Sequence, residues 1–118
     1  TRSNIPQQAL VMLNDPTYVE AARAFAARVL AEAGADDARL GWAWRRALQR
    51  EPDAKELGTL RKVLAERRTA YRADPAAAKE LLKVGLTPVP AQADPGELAA
   101  WTHVTRVILN LHETLTRD

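Results

Sequence analysis

Residues 94–115 read DPGELAAWTHVTRVILNLHETL, and they carry the widest apolar face in the chain. Apolar side chains recur there at steps of three and four, as they do along one face of an α-helix. Leu98, Trp101 and Ile108 mark the middle of that face, and Val104 widens it. A helix with so broad an apolar sector buries most of its circumference. The stretch therefore predicts a central helix against which the rest of the chain packs.

The same periodicity runs through most of the sequence, and no segment alternates as a half-buried strand does. We therefore predict an all-α fold, a compact bundle of five to six helices with no sheet, forming a single domain over residues 1–118. The stretch LTPVPAQA, residues 86–93, is expected to be an extended linker before the last helix because it contains two prolines. The predicted helices span residues 6–13, 16–33, 37–50, 54–72, 75–84 and 95–113.

The triplet Asn14-Asp15-Pro16 raises the question of whether it is a polar site or a helix boundary. Aspartate is a favoured N-cap, and proline is favoured at the first helical position, where its missing N–H costs nothing. Asp-Pro recurs at Asp74-Pro75 and at Asp94-Pro95, again before an apolar run. The triplet is therefore interpreted as the end of one helix and the start of the next.

Other boundaries carry equally clear signals. Aspartate followed three residues later by glutamate, as at Asp53 and Asp94, is typical of a capping box at a helix start. Gly34 and Gly85 are natural left-handed residues at helix ends.

Composition narrows the class of protein. The chain has 118 residues, 47% of them hydrophobic and 27% charged, which is usual for a folded domain and disfavours a disordered one. No apolar run approaches the length of about 20 residues that a membrane-spanning helix needs. The formal net charge is only +2, whereas a strong nucleic-acid binder gathers a larger positive excess into a stripe, so nucleic acid is an unlikely partner. The chain contains no cysteine, so it has no disulfide framework and no thiolate site.

The two histidines of the chain, His103 and His112, both lie on the last predicted helix. They are nine residues apart, about half a turn out of phase, so they cannot share a ligand. His103 falls on the polar side and is expected to be solvated. His112 lies nearer the apolar face, as a histidine at the edge of the core would, and remains a minor functional candidate. No second catalytic group is found at a fixed spacing from it.

The remaining polar residues form no recognisable site. The chain has no Glu-x-x-His pair, no Gly-rich phosphate loop and no nucleophile motif. Asp36 and Asp37 lie at a helix start, where acidic groups favour the helix dipole. Arg61, Arg68 and Arg72 are expected to form a solvated face. We predict no catalytic, cofactor-binding or metal-binding residue, and no cofactor, so this chain is not expected to be an enzyme by itself.

Trp42 is the residue that fits the core pattern least. On the helix that buries Leu40, Trp44 and Leu48, it lies well over 150° from the middle of the apolar stripe. Arg45 and Arg46 are close to it in sequence. One interpretation is an exposed tryptophan packed on arginine stems. The other is a docking surface of Trp42, Arg45 and Arg46 for another domain, since tryptophan and arginine are enriched among interface anchors.

The chain resembles a known family at both ends. The opening stretch RSNIPQQALVMLNDPTYVEAARAFAARVL and the closing stretch DPGELAAWTHVTRVILNLHETLTRD are similar to the C-terminal part of the planctomycete-specific domain one (PSD-one) family, a bacterial domain of unknown function. The resemblance implies an all-helical C-terminal module of a large exported protein, and therefore an exported or periplasmic location. Members often carry a second planctomycete-specific domain and a cytochrome c-like haem domain upstream. Two positions depart from the family, which usually has an acidic residue at His112 and an aromatic residue at Thr114.

Three functions follow as hypotheses. The first is a non-catalytic structural or interaction module that packs against upstream domains of the same polypeptide or another protein, or self-associates. The second is one wall of an enzyme or a redox, cytochrome c-linked assembly whose active groups lie in upstream domains. The third is a nucleic-acid-binding helical domain, which only the arginine content supports.

Overall fold

The fold is all-α, as the periodicity predicts. The computed structural model of the protein describes residues 16–32, 34–83 and 94–116, and these residues contain five helices and no strand. The predicted helix at 6–13 and the linker at 86–93 lie outside the described residues. The helices are α1 (Pro16–Ala31), α2 (Asp36–Leu48), α3 (Ala54–Ala73), α4 (Pro75–Leu82) and α5 (Pro95–Thr116).

The last helix is central, as its wide apolar face predicts. Each of the other four helices packs against α5. Seven of the eight residues from 98 to 105 are buried, so this part of the helix is covered on nearly all sides. The fully buried side chains of α5 are Leu98, Ala99, Ala100, Trp101, Thr102, Val104, Thr105 and Ile108.

Helix α1 comes close to α5 because small side chains lie between them. Ala22 and Ala26 are fully buried. The hydroxyl of Thr105 on α5 donates a hydrogen bond to the carbonyl oxygen of Ala22 over 2.7 Å. The buried face of α1 is consequently centred on these alanines, and Phe25 lies at its edge and is only partly buried.

Helices α3 and α4 start with the predicted aspartate caps, whereas the N-cap of α2 is Ala35, without a side-chain hydrogen bond. The Asp53 carboxylate accepts from the backbone N–H of Glu56, and the Glu56 carboxylate accepts from the N–H of Asp53. Arg50 binds both oxygens of Glu56, and this guanidinium together with the Asp53 N–H lowers the pKa of Glu56 to about 2. Asp74, the residue before Pro75, accepts a hydrogen bond from the backbone N–H of Ala77. At the start of α5 the Asp94 carboxylate accepts from the backbone N–H of Gly96, and both oxygens of Glu97 bind Arg68 on a neighbouring helix.

Helix ends are closed by less predictable means. Gly34 has a φ of 121°, as a left-handed residue after α1 should, but α2 ends at Gln49, a non-glycine residue with a φ of 59°. Arg39 donates to the carbonyl oxygens of Leu30 and Glu32 at the end of α1. The buried Arg23 donates over 2.6 Å to the carbonyl oxygen of Leu82 at the end of α4.

The expectation that Arg61, Arg68 and Arg72 form a solvated face is wrong for Arg68, which is partly buried, whereas Arg61 and Arg72 are exposed. Arg61 binds both oxygens of Asp37. Arg68 binds both oxygens of Asp36 and both oxygens of Glu97. Arg61 and Arg68 both bind the acidic start of α2, and Arg68 also binds α5, so they link these helices. Arg72 is exposed.

Candidate functional site

Trp42 occupies the junction between α1 and α2. Its ring centroid lies 6.2 Å from that of Phe25, and the two ring planes are inclined by 47°. The indole is therefore partly buried and packs against the edge of the core, rather than projecting freely from the helix as the sequence stripe suggests. Phe25 lies at the edge of the buried face of α1, next to Trp42. This partner on another helix cannot be identified from the periodicity of α2 alone.

Arg45 and Arg46, which follow Trp42 on α2, are exposed, and each makes a contact within the domain. The guanidinium carbon of Arg46 lies 5.7 Å from the centroid of the Trp42 ring, a cation–π contact. Arg45 forms an ion pair with Glu51, with Nη1 and Oε1 3.3 Å apart. The guanidinium of Arg45 also lies along α2 over Gly41, where a β-carbon would come within 3.0 Å of it. We refer to Phe25, Trp42, Arg45 and Arg46 as the Trp42 surface.

The Trp42 surface combines an apolar body with fixed positive charge. Trp44 and Trp101 are 2% and 0% exposed, so Trp42 is the tryptophan that the described residues leave accessible. An aromatic side chain loses little conformational entropy on binding, and here the Phe25 contact already restricts it. Such an arrangement suits contact with a complementary protein surface, and it offers no nucleophile or acid–base group.

His103 is not solvated, contrary to the sequence-based expectation. Its Nε2 lies 2.6 Å from the hydroxyl oxygen of Tyr71 on α3, and the two rings stack at a tilt of 30° with centroids 5.7 Å apart. Burial, with smaller contributions from the charges of Arg67 and Arg106, lowers the pKa of His103 to about 4. Burial likewise raises the pKa of Tyr71. The histidine is therefore neutral at pH 7, and the phenol donates to Nε2 when that nitrogen carries no proton.

The lowered pKa of His103 predicts a loss of stability in mild acid. An unfolded chain returns the imidazole to a pKa near 6.5, so between about pH 6.5 and pH 4 the unfolded state binds more protons than the folded state. The free energy of unfolding should be retained in full above about pH 6.5 and fall as the pH drops towards 4. Because the ring is partly exposed and water screens the effect, we expect a loss of about 1–2 kcal/mol.

Urea denaturation at a series of pH values measures this loss. The His103→Gln variant, which keeps an amide acceptor for Tyr71, should show a flatter profile between pH 7 and pH 5. His112→Gln is the matched control, because it also removes a histidine from α5 but leaves the Tyr71 contact intact. Identical profiles for wild type and His103→Gln would contradict the assignment.

The other sequence-based candidate, His112, is half-buried near the end of the described part of α5. Among residues 16–32, 34–83 and 94–116, no group of three or more histidine, aspartate or glutamate side chains is arranged to hold a metal ion. None of the helices in these ranges is long and apolar enough to cross a membrane.

Comparison with known protein families identifies the family to which the chain is related. A model of the family PSD1, described as a protein of unknown function (DUF1553), matches residues 1–64. This match includes the opening stretch, α1 and α2, and hence the Trp42 surface, while the closing stretch lies beyond it. No curated protein and no solved structure matches the chain at a significant level. Because the matched residues make up more than half of the sequence, the chain belongs to the PSD1 family of proteins of unknown function.

Proposed function

We propose that this chain is a non-catalytic helical module of a larger, exported protein of the planctomycete type, and that it packs against another part of the same polypeptide through the Trp42 surface. The chain belongs to a family of unknown function, and its described residues form a helical bundle. The multidomain setting and the export follow from the resemblance of the sequence to the planctomycete-specific family. The docking role rests on the geometry around Trp42.

The observation that carries the proposal is the partly exposed Trp42–Phe25 pair beneath the Arg46 guanidinium. Large aromatic side chains elsewhere in the bundle, such as Trp44 and Trp101, are buried. Covering an aromatic ring of this size at an interface contributes a few kcal/mol, and tryptophan and arginine are both enriched among interface hot spots.

The partner surface that fits is an apolar one carrying a carboxylate. The Phe25 and Trp42 rings offer apolar contact, and Arg46 lies over the indole with an exposed guanidinium. A carboxylate on the partner would form a charge-assisted hydrogen bond with this group. An acidic, apolar face on another domain of the parent polypeptide is therefore the expected counterpart.

Nucleic acid fits the positive charge of the chain less well than an acidic protein surface does. Arg45, Arg50, Arg61 and Arg68 each form an ion pair with a carboxylate of the domain. A guanidinium that is already paired contributes less to binding phosphates. The high arginine content is thus used largely between helices and at helix ends.

Charge reversal at Arg46 tests the docking role with little effect on the fold. The 118-residue chain and the remainder of its parent polypeptide are produced separately, and their association is measured by isothermal titration calorimetry. Arg46→Glu should weaken the affinity at least about tenfold, since it places a like charge against the expected carboxylate. Lys62→Glu is the matched control, because Lys62 is an exposed cation on α3 outside the Trp42 surface, and it should bind like wild type.

Three results would contradict the proposal. One is equal affinity of wild type and Arg46→Glu, and another is equal weakening by both variants, which would indicate only a general charge effect. The third is concentration-dependent self-association of the chain in analytical ultracentrifugation that Arg46→Glu abolishes, because the partner would then be a second copy. Circular dichroism confirms that each variant is folded.

A further inference from the structure

A groove runs along the side of the bundle formed by α3, the start of α4 and the first turn of α5. Its volume is about 660 Å³, within the range of about 300–1,000 Å³ that is usual for small-molecule sites. It lies among helices that do not contribute to the Trp42 surface, so the two features are independent. We call it the α3–α5 groove, and its walls include Tyr71, Arg72, Pro75, Lys79, Pro95 and Gly96.

The negative charges of the groove already have partners. Both oxygens of Glu97 are bound by Arg68, which also binds Asp36. The Asp94 carboxylate accepts a hydrogen bond from the backbone N–H of Gly96. These carboxylates are therefore engaged within the domain.

The positive charges on the rim of the groove are free. Arg72 and Lys79 are exposed, and within the described part of the chain neither forms an ion pair or a hydrogen bond. They lie on consecutive helices, α3 and α4, on either side of Pro75. The lining of the groove thus contains three cations, Arg68, Arg72 and Lys79, and two carboxylates, Asp94 and Glu97, so its formal charge is +1. The two cations without a partner lie on different helices.

Gly96 leaves space in the groove at a cost to its helix. A β-carbon at this position would lie 3.9 Å from the β-carbon of Tyr71 and 3.9 Å from an Asp94 oxygen, which are ordinary van der Waals distances. Alanine would therefore fit without strain, and it would favour the helical conformation more than glycine does. The stability of α5 therefore does not explain why residue 96 is glycine. The space that glycine leaves in the groove beside Tyr71 does explain it.

We propose that the α3–α5 groove binds a small organic anion, with Arg72 and Lys79 holding its carboxylate or phosphate group. Guanidinium and ammonium groups both form charge-assisted hydrogen bonds with either oxyanion. The Tyr71 ring, Pro75 and Pro95 provide apolar contact for the carbon part of the ligand beside Gly96.

Nuclear magnetic resonance titration of the 118-residue chain tests this site. Inorganic phosphate and succinate are added separately, and backbone amide shifts are followed around residues 71–79 and 95–97. We expect localised, saturable shifts with at least one of the two probes, and the probe that binds more tightly identifies the preferred oxyanion. Arg72→Gln combined with Lys79→Gln should weaken the affinity at least about tenfold, because two charged contacts are lost.

Two further variants make the result specific. Gly96→Ala should keep or raise the thermal stability of the domain and yet weaken binding, since its methyl group occupies space beside Tyr71. Lys62→Gln, an exposed cation outside the groove, should bind like wild type. Shifts spread over all exposed cations, or wild-type affinity in either the double variant or Gly96→Ala, would overturn the proposal.

Discussion

Replacing Trp101 by alanine is expected to lower the free energy of unfolding by about 3–5 kcal/mol, enough to unfold a large fraction of a marginally stable domain. Trp101 is fully buried in α5, the helix against which all four others pack. Truncating it removes most of an aromatic side chain from the middle of the core and leaves a cavity that neighbouring helices can close only in part. Urea denaturation followed by circular dichroism at 222 nm measures the change.

Trp101→Phe is the control that separates cavity formation from loss of a polar contact. The indole N–H of Trp101 is buried and has no hydrogen-bond partner among the described residues. An unsatisfied buried donor costs about 1–3 kcal/mol, so phenylalanine removes an unfavourable group as well as some volume. We expect Trp101→Phe to lose much less stability than Trp101→Ala. Equal losses would mean that the N–H is bonded, and a small loss in both would contradict the central position of α5.

Replacing Arg68 by methionine is expected to lower the free energy of unfolding by about 1–2 kcal/mol at pH 7 and low salt. Arg68 lies on α3 and joins the first turn of α2, through Asp36, to the first turn of α5, through Glu97. Its side chain is 21% exposed, so the bonds are partly shielded from water. Methionine keeps most of the apolar stem but leaves two carboxylates close together without the cation that separates them.

Two further measurements check this prediction: the stability of Arg68→Met at low pH, and the stability of an Arg61→Met variant. Arg68 is the main reason that the pKa of Asp36 is lowered, so this part of the stability is present above the ordinary pKa of aspartate and is lost below it. The difference between wild type and Arg68→Met should therefore shrink near pH 3. Arg61→Met, which removes the more exposed pair with Asp37, should cost less. A larger loss for Arg61→Met would contradict the assignment of Arg68 as the main link.

Periodicity and caps predicted the helices because both are local properties of the sequence. The five described helices differ from the predicted bounds by at most three residues at either end. Asp53 and Asp74 are N-caps, as the Asp-x-x-Glu and Asp-Pro patterns indicate. The central position of α5 was equally predictable, since the helix with the widest apolar face buries the largest part of its circumference.

The contacts that define the candidate sites could not be predicted in the same way. Phe25 and Trp42 lie on different helices, and the Arg68–Glu97 and Tyr71–His103 contacts join residues about thirty positions apart. Each depends on how far one helix is rotated against another, and a helical stripe fixes that rotation only coarsely. The buried face of α1 is centred on Ala22 and Ala26, and Phe25 lies at its edge, in contact with Trp42.

One measurement tests the central claim, that the Trp42 surface is covered in the parent protein. The three tryptophans of the chain are replaced by 5-fluorotryptophan, and each ¹⁹F resonance is assigned by a Trp→Phe variant. The shift of each resonance between H₂O and D₂O reports the contact of that ring with solvent. In the 118-residue chain alone, we expect a large solvent shift for Trp42 and small ones for Trp44 and Trp101. In the parent protein, the Trp42 shift should fall to the level of the other two, whereas an undiminished Trp42 shift would contradict docking through this surface.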